Sequence, residues 1–220
     1  MAFLRKRVSF RRIPEDRIAA WKNVATASAS DMMNRHGSMH PDIKAVTTAA
    51  RIVGQARTVQ CTMADNSILH YISSTAEPGE VIVGDSGGIT DHALWGGITT
   101  LESYRRGVAG LVLDGSVRDL RESRDIGFPI FCRGITPRGP HKAFGGALDV
   151  PIACGGQPVH PGDLILADED GVVVVPLERE EELFQKVVNF RRDEQAWFKV
   201  LDTPKPFYQV LNIPEPDWMD

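Results

Sequence analysis

The chain has 220 residues, of which 42% are hydrophobic and 25% are charged, with a formal net charge of −4 at pH 7. This length and apolar content support one large domain or two small ones, and the acidic balance argues against a nucleic-acid-binding surface. No apolar run approaches the roughly 20 residues that a membrane-spanning helix needs. We therefore expect neither a nucleic-acid nor a membrane partner.

The first third of the chain predicts an extension, two helices and a strand. Residues 1–13 are basic with scattered apolar residues, which is typical of a frayed N-terminal extension rather than a signal peptide. Residues 14–220 then form the domain. Pro14-Glu15-Asp16 is a natural first helical turn, and Ser30-Asp31 is a plausible cap for a second helical stretch that ends at Gly37.

The middle of the chain alternates between predicted strands and helices. The strands are 51–63, 78–88 with its glycine loop, 108–114 and 128–134, and the helices are 66–75, 91–106 and 119–126. Residues 134–163 are rich in Gly and Pro and predict loops and short strands, and 161–176 predicts a hairpin from its Asp170-Gly171 turn. Residues 177–201 predict one long polar helix, before a Pro-rich aromatic tail. The pattern predicts an α/β fold.

Cysteine usage indicates the compartment. Cys61, Cys132 and Cys154 are odd in number, far apart in sequence and form no Cys-x-x-Cys pair. Such residues are typically small buried side chains in a reducing compartment, rather than disulfides or a zinc site. We therefore expect a cytoplasmic protein.

Arg118 and Asp119 follow the predicted strand 108–114 and are the strongest candidates for chemistry. In α/β sheets, ligands bind beyond the carboxyl ends of the strands. Arg offers a rigid fork that matches a carboxylate, and Asp offers the hard oxygen ligand that Mg²⁺ or Mn²⁺ prefers. The pair could hold a 2-oxo acid, with Arg on its carboxylate and the metal on its 2-oxo group. From these two residues alone, a surface ion pair or helix cap is the alternative.

Neighbouring residues add to this hypothesis. If a helix begins at Gly96-Gly97, its free amides from Gly97 to Thr99 would bind an anion. No lysine lies between Lys44 and Lys142, which argues against a Schiff-base lysine and leaves a cation to stabilise developing negative charge. His92, close to that helix start, is the best choice for an acid–base helper, and Asp65-Asn66 is more typical of a helix cap than of a substrate contact.

Three segments carry a family resemblance: "DHALWGGITTLESYRRGVAGLVLDGSVRDL" (91–120), "GFPIFCRG" (127–134) and "VHPGDLILADEDGVVVVP" (159–176). They resemble the RraA-like family, which includes metal-dependent 4-hydroxy-4-methyl-2-oxoglutarate / 4-carboxy-4-hydroxy-2-oxoadipate aldolases and regulators that inhibit an endoribonuclease. The most specific pieces are Asp114-Gly115 with Arg118-Asp119, and the 161–176 block.

The resemblance implies a fold and an assembly. The fold would be a single α/β domain with a swivelling β/β/α-type core and a long C-terminal helix. The protein would form a homotrimer or homohexamer, with the active site at a subunit interface. Glu194 is the positional match for an acidic residue that reaches the site from the neighbouring subunit's C-terminal helix.

The resemblance also implies an activity, that of a class II pyruvate aldolase. Arg118 would bind the pyruvyl carboxylate, Asp119 would coordinate Mg²⁺ or Mn²⁺, and the backbone around Gly96, Gly97, Ile98 and Thr99 would complete the substrate site. The enzyme would cleave a 4-hydroxy-2-oxo acid to pyruvate through a metal-bound enolate. The same chemistry gives oxaloacetate decarboxylation.

One departure from the aldolase pattern leaves the substrate open. Those aldolases carry an acidic residue, twenty further residues and then Arg-Asp, and the acidic position is Gly97 here. A replacement carboxylate could come from one of four acidic residues (Asp85, Asp91, Glu102 or Asp114). The alternatives are a related metal-dependent decarboxylase or dehydratase, and a non-catalytic ribonuclease regulator.

Overall fold

The computed structural model describes residues 2–219, apart from the side chains of Asp193, Gln195 and Ala196. The strands are β1 (Phe3–Arg5), β2 (Lys44–Ala45), β3 (Ile52–Gln60), β4 (Glu80–Asp85), β5 (Ala93–Trp95), β6 (Gly110–Val117), β7 (Ile130–Ile135), β8 (Gly146–Leu148), β9 (Ile152–Cys154), β10 (Gln157–Val159), β11 (Leu164–Asp168) and β12 (Gly171–Val175). The helices are α1 (Glu15–Trp21), α2 (Thr26–Met32), α3 (Ser67–Ser73), α4 (Gly97–Arg105), α5 (Leu120–Ile126), α6 (Glu180–Leu201) and α7 (Phe207–Val210), with a 3₁₀ turn at Leu177–Arg179.

A ten-stranded sheet organises the chain, in the order β1-β8-β3-β4-β6-β7-β2. Its centre, β3-β4-β6-β7, is parallel. The antiparallel pair β11–β12 joins it beside β3, and the short β5 runs parallel to the end of β6. β6 is buried along its whole length, as expected for a parallel strand that is covered on both faces.

Alternating side chains divide the core between the two faces of this sheet. Ile82 and Leu111 face the cluster that contains α3, Trp95 and Phe128. Their neighbours, including Val81, Val83 and Val112, face a second cluster with the β11–β12 hairpin. The period of two in a strand produces this division. Helices α1, α2 and α6 cover the hairpin in a third cluster.

The structure confirms the predicted α/β class and the long C-terminal helix. It corrects two element boundaries. Residues 91–106 are not one helix, because Ala93–Trp95 pairs with the end of β6 and the backbone N–H of Ala93 donates to Arg138 O over 2.8 Å. Ser30-Asp31 lies inside α2 rather than capping a helix, because α2 begins at Thr26, whose N–H donates to the distant Asp168 carboxylate at 2.8 Å.

The N-terminal residues pack on the domain instead of fraying. We name residues 2–13 the N-terminal strap. Its strand β1 pairs with β8, and Lys6 N–H donates to Leu148 O over 3.0 Å. Further along, Ile13 is buried and its N–H donates to Gln55 Oε1 over 2.9 Å. The sequence interpretation missed this because the partners lie in distant strands.

The three cysteines are free thiols, as predicted. Cys132 and Cys154 are buried, and Cys61 is half-buried. Burial raises the pKa of the Cys132 thiol to about 12 and also raises that of Cys154, so neither has thiolate character at neutral pH. Among the described helices, none is long and apolar enough to cross a membrane.

Candidate active site

Strand β6 ends at a strained turn that carries both candidate residues. Asp119 follows the strand with φ 56° and ψ 43°, a left-handed conformation that few residues other than Gly adopt, although Asp is among the more tolerant. Arg118 is fixed by its N–H, which donates to Trp95 O on β5 over 2.9 Å. Backbone strain of this kind concentrates at functional sites. The turn presents Arg118 and Asp119 side by side at the carboxyl end of the parallel sheet.

The first turn of α4 holds Asp119 in place. Gly97 N–H donates to Asp119 Oδ2 over 3.0 Å, and Arg118 Nε lies 3.5 Å from the same oxygen. A Cβ atom at Gly96 would lie only 2.5 Å from Asp119 Oδ2 and 3.2 Å from Arg118 Cγ. Glycine is therefore required at position 96, because the side chains of Asp119 and Arg118 approach its backbone closely. At Gly97 the nearest neighbour of a Cβ would be 3.6 Å away, so a larger residue fits there.

These residues line a cavity of about 220 Å³. Its lining residues are Asn66, His70, Ala93, Trp95, Gly96, Gly97, Ile98, Thr99, Arg118, Asp119, Pro140 and Lys142. Six of the eight residues that the sequence nominated therefore meet here, and Glu194 and His92 do not. A larger cavity of about 520 Å³ lies under the N-terminal strap. We assign the smaller one as the candidate active site because the helix start, the carboxylate and the guanidinium converge on it.

The start of α4 supplies anion-binding groups. The first N–H groups of a helix have no acceptor within the helix, and they carry the positive end of its dipole. Gly97 N–H is taken by Asp119, and Gly96 N–H donates to Thr99 Oγ1 over 3.2 Å. The amides of Ile98 and Thr99 are left for a ligand. This supports the conditional prediction of a helix start at Gly96-Gly97.

Asn66 is a cavity residue that the sequence interpretation undervalued. The capping role falls to Asp65, whose Oδ1 accepts from Ser67 N–H at 2.8 Å and whose Oδ2 accepts from Gly145 N–H at 2.7 Å. Burial would raise the pKa of Asp65, but these donors hold it below its usual value. Asn66 is only 6% exposed, and its Oδ1 lacks a hydrogen-bond partner among the described residues. It therefore offers a buried acceptor to a ligand.

Two further groups in the cavity, His70 and Lys142, were also missed. Burial and the nearby Lys142 hold the pKa of His70 below its usual value, which favours the neutral imidazole. His92, the predicted acid–base helper, is outside the cavity lining and lies against His141, with ring centroids 6.3 Å apart. His92 is therefore not among the residues that the structure brings to this cavity. The sequence argument against a lysine in the site considered only the residues between Lys44 and Lys142. Lys142 itself reaches the cavity from the loop 136–145.

The four carboxylates that were suggested as replacements are used elsewhere or lie outside the cavity lining. Asp114 is buried against Arg133, with Nε to Oδ1 at 2.5 Å, and also accepts from Gly155 N–H. Asp85 accepts from Gly87 N–H, and Glu102 accepts from Ser73 and Ser74 on α3. Among the cavity residues, Asp119 is thus the one carboxylate.

Glu194 lies apart from this cavity in its own chain. It is half-buried on α6, which packs against α2 on the other side of the molecule from α4. Its suggested role in a neighbouring subunit's site stays a prediction.

Comparison with known proteins places the chain in a family. Residues 26–174 match the RraA-like family model, described as Aldolase/RraA. A relative from Halalkalibacterium halodurans, provisionally named a 4-hydroxy-4-methyl-2-oxoglutarate aldolase, is 39% identical over 82% of this chain and 86% of its own. The 4-hydroxy-4-methyl-2-oxoglutarate aldolase of Thermus thermophilus is 32% identical over 69% of this chain and 92% of its own.

A solved structure supports the same assignment. The Streptomyces coelicolor protein RraAS2, described as an unusual member of the RNase ES inhibitor RraA protein family, superposes with a TM-score of 0.76. It shares 29% sequence identity and covers 86% of this chain and 98% of its own. The family match spans well over half of the chain, and both relatives cover more than two thirds of it. The chain therefore belongs to the RraA-like, or Aldolase/RraA, family.

Proposed function

We propose that this protein is a divalent-metal-dependent carbon–carbon lyase that cleaves a 4-hydroxy-2-oxo acid to pyruvate. The observation that carries the proposal is the arrangement of Arg118 and Asp119 against the glycine start of α4, inside a cavity of about 220 Å³. The aldolase names of the relatives support the reaction class. We further propose a cytoplasmic protein whose substrate is a small 2-oxo acid.

Arg118 and the α4 amides suit the carboxylate of the substrate. The Arg118 side chain is 43% exposed, and its guanidinium can donate two parallel hydrogen bonds to a carboxylate. The N–H groups of Ile98 and Thr99 face the same space and favour negative charge. A carboxylate held between them would place its neighbouring 2-oxo oxygen on the Asp119 side of the cavity.

Asp119 suits Mg²⁺ or Mn²⁺. Its side chain is 42% exposed, and among the described residues Gly97 N–H and Arg118 engage Oδ2 while Oδ1 has no partner. No group of three or more potential protein ligands occurs among the described residues. One free carboxylate oxygen fits Mg²⁺, which keeps several waters and binds through one or two carboxylates plus substrate. When bound, the cation would stabilise the negative charge that develops on the 2-oxo oxygen.

His70 and Lys142 suit the other half of the reaction. Cleavage of the C3–C4 bond leaves its electron pair on C3 and turns the 4-hydroxyl into a carbonyl, so the hydroxyl proton must be accepted. His70 can accept it because its lowered pKa favours the neutral imidazole. The ammonium of Lys142 and the polar Asn66 can hold a second carboxylate on the leaving fragment. This pairing favours a dicarboxylic substrate.

The test is pyruvate release from 4-hydroxy-4-methyl-2-oxoglutarate and from oxaloacetate, with Mg²⁺ or Mn²⁺ and then with a chelator. Blanks without protein correct for metal-promoted decarboxylation of oxaloacetate. We expect Arg118→Ala to lower kcat/KM at least about 100-fold, because an oriented ion pair is lost. The control is Arg121→Ala, which removes an exposed arginine outside the cavity.

The preferred substrate then separates aldolase from decarboxylase. A dehydratase would consume a hydroxy acid without releasing a second carbonyl fragment. Failure to release pyruvate from either acid with any metal would contradict the proposal.

A regulatory role is the second candidate, favoured by Gly97 in place of the family's acidic residue. Ile98 and Tyr104 on α4 are 75% and 53% exposed and offer an apolar contact surface beside the site. Capture of an endoribonuclease by the wild-type protein, lost in Ile98→Glu, together with absence of lyase activity, would favour this role over catalysis.

We also propose a homotrimer or homohexamer in which Glu194 approaches the neighbouring subunit's site. Light scattering of the protein in solution gives the oligomeric state. Glu194→Gln should lower kcat without changing that state, and Glu182→Gln, on the same helix, is the matched control. A monomer with full activity would contradict this arrangement.

A further inference from the structure

The cavity under the N-terminal strap plays no part in the proposed reaction. It measures about 520 Å³ and lies between the N-terminal strap and the sheet. Its lining residues are Arg5, Lys6, Arg7, Val8, Phe10, Arg12, Arg57, Glu77, Glu80 and Asp149. None of them lines the candidate active site. Eight of these ten residues are charged, which is unusual for a surface hollow.

The floor of this strap cavity is a buried ion network. Arg57 directs its donors at two buried carboxylates: Nε and Nη2 bind Asp149 at 2.6 and 2.9 Å, and Nη1 binds Glu80 at 2.9 Å. Asp149 is wholly buried with a φ of 60°, a left-handed conformation that the network must hold. One guanidinium thus faces two buried carboxylates, which leaves one negative charge for the residues of the strap to compensate.

The strap adds three further ion pairs to the walls. Arg5 Nε lies 3.3 Å from Asp149, and Arg12 reaches Glu77 at 2.7 Å and Glu80 at 2.9 Å. Three carboxylates thus face three arginines, and the charges of this set balance.

Lys6 and Arg7 lie outside this balanced set of ion pairs. Both side chains are exposed and line the cavity, and neither makes an ion pair or a side-chain hydrogen bond with the residues that the structure describes. The side chains of Arg5 and Arg12 are also half-exposed, at 50% and 52%, and keep donors for a ligand. The cavity therefore has an excess of two positive charges, in a protein whose net charge is −4.

We propose that the strap cavity binds a small polyvalent anion with phosphate or carboxylate groups. Lys6 and Arg7 would neutralise two of its charges, and the free donors of Arg5 and Arg12 would complete the contacts. The volume falls within the range of small-molecule sites, and the concave walls suit a compact ligand better than an extended polymer or a flat lipid surface. Bound anion would bridge the strap to the sheet and hold the N-terminal strap in place.

The test is calorimetric titration of the full-length protein with inorganic pyrophosphate and with citrate, at constant ionic strength. We expect about one site per chain. Lys6→Gln/Arg7→Gln should weaken binding at least about tenfold, because two charge-assisted contacts are lost. The control Lys199→Gln/Lys205→Gln removes the same charge from the C-terminal region and should bind as the wild type does. Because the side chains of Lys6 and Arg7 have no ion-pair or hydrogen-bond partner among the described residues, the unliganded variant should unfold at the wild-type temperature.

Amide hydrogen exchange locates the site independently. Pyrophosphate should slow exchange at Lys6, whose N–H donates to Leu148 O, in the wild type and not in Lys6→Gln/Arg7→Gln. Three outcomes would overturn the proposal: no binding of either anion, equal weakening in both double variants, or binding of anionic vesicles or single-stranded RNA without binding of pyrophosphate. None of these readouts depends on lyase activity, so this inference and the proposed function can be refuted independently of each other.

Discussion

Gly96→Ala and Gly97→Ala form a matched pair that tests how α4 positions Asp119. A Cβ at position 96 would lie 2.5 Å from Asp119 Oδ2, whereas ordinary contact begins near 3.4 Å. The carboxylate must therefore retreat by about 0.9 Å. Its hydrogen bond from Gly97 N–H, now 3.0 Å, would then stretch beyond bonding distance. At position 97 the nearest atom is 3.6 Å away, and alanine fits without movement.

The two variants should therefore differ in catalysis and not in folding. A misplacement of about 1 Å costs on the order of 100-fold in rate, so we expect kcat/KM of Gly96→Ala to fall by roughly that factor. Gly97→Ala should stay within about threefold of the wild type. Gly96 has φ −160°, which any residue adopts, so the effect is not backbone strain.

The assay is pyruvate release as a function of Mn²⁺ concentration, and free Mn²⁺ is followed by electron paramagnetic resonance. Gly96→Ala should need more Mn²⁺ for half-maximal activity and should bind it more weakly in the absence of substrate. Thermal unfolding by circular dichroism checks that both variants fold. Equal activity in the two variants, or a larger loss in Gly97→Ala, would refute this account of Asp119.

Three further predictions follow from other contacts. Gly139→Ala places a Cβ 2.6 Å from Arg118 Nη1 and should raise KM about tenfold with a smaller effect on kcat; unchanged steady-state kinetics would show that the guanidinium does not bind substrate. Arg57→Met removes the two closest hydrogen bonds to the buried carboxylate of Asp149, leaves it only the half-exposed Arg5 at 3.3 Å, and should lower the free energy of unfolding by about 3–5 kcal/mol; a urea titration that shows wild-type stability would contradict this. The pKa of His70 is lowered in the folded state, so the unfolded chain binds this proton more tightly than the folded protein does. The contribution of His70 to stability is therefore fully present above the unfolded pKa of about 6.5 and is lost as the pH falls below it. Urea midpoints at pH 8 and pH 5 should therefore differ less in His70→Gln than in the wild type, and an equal difference would contradict the assignment.

Local sequence was sufficient to predict a structural feature wherever residues close together in the chain carry the pattern that indicates it. The apolar run of β6 predicts a buried strand, and a polar pair directly after it must lie at the carboxyl edge of a parallel sheet. Arg118 and Asp119 could therefore be placed at that edge from local pattern alone. The Gly96-Gly97 pair indicated a possible helix start for the same reason, since a helix that begins there has free amides.

Tertiary structure decided which distant residues join this pair. Asn66 and His70 come from the turn and helix after β3, and Lys142 comes from the loop before β8. They meet at one sheet edge only because parallel β3 and β6 both end there. β5 was mistaken for helix because its three residues are fixed by pairing with β6, a contact that no local propensity encodes.

The sequence by itself determined the α/β class, the family resemblance, and the Arg118-Asp119 pair, because periodicity, glycine placement and charge are local properties of the chain. Only the tertiary structure decided the lowered pKa of His70, the exclusion of Asp114 and the packing of the N-terminal strap on β8. These depend on burial and on contacts between segments far apart in sequence, which are established when the sheet assembles.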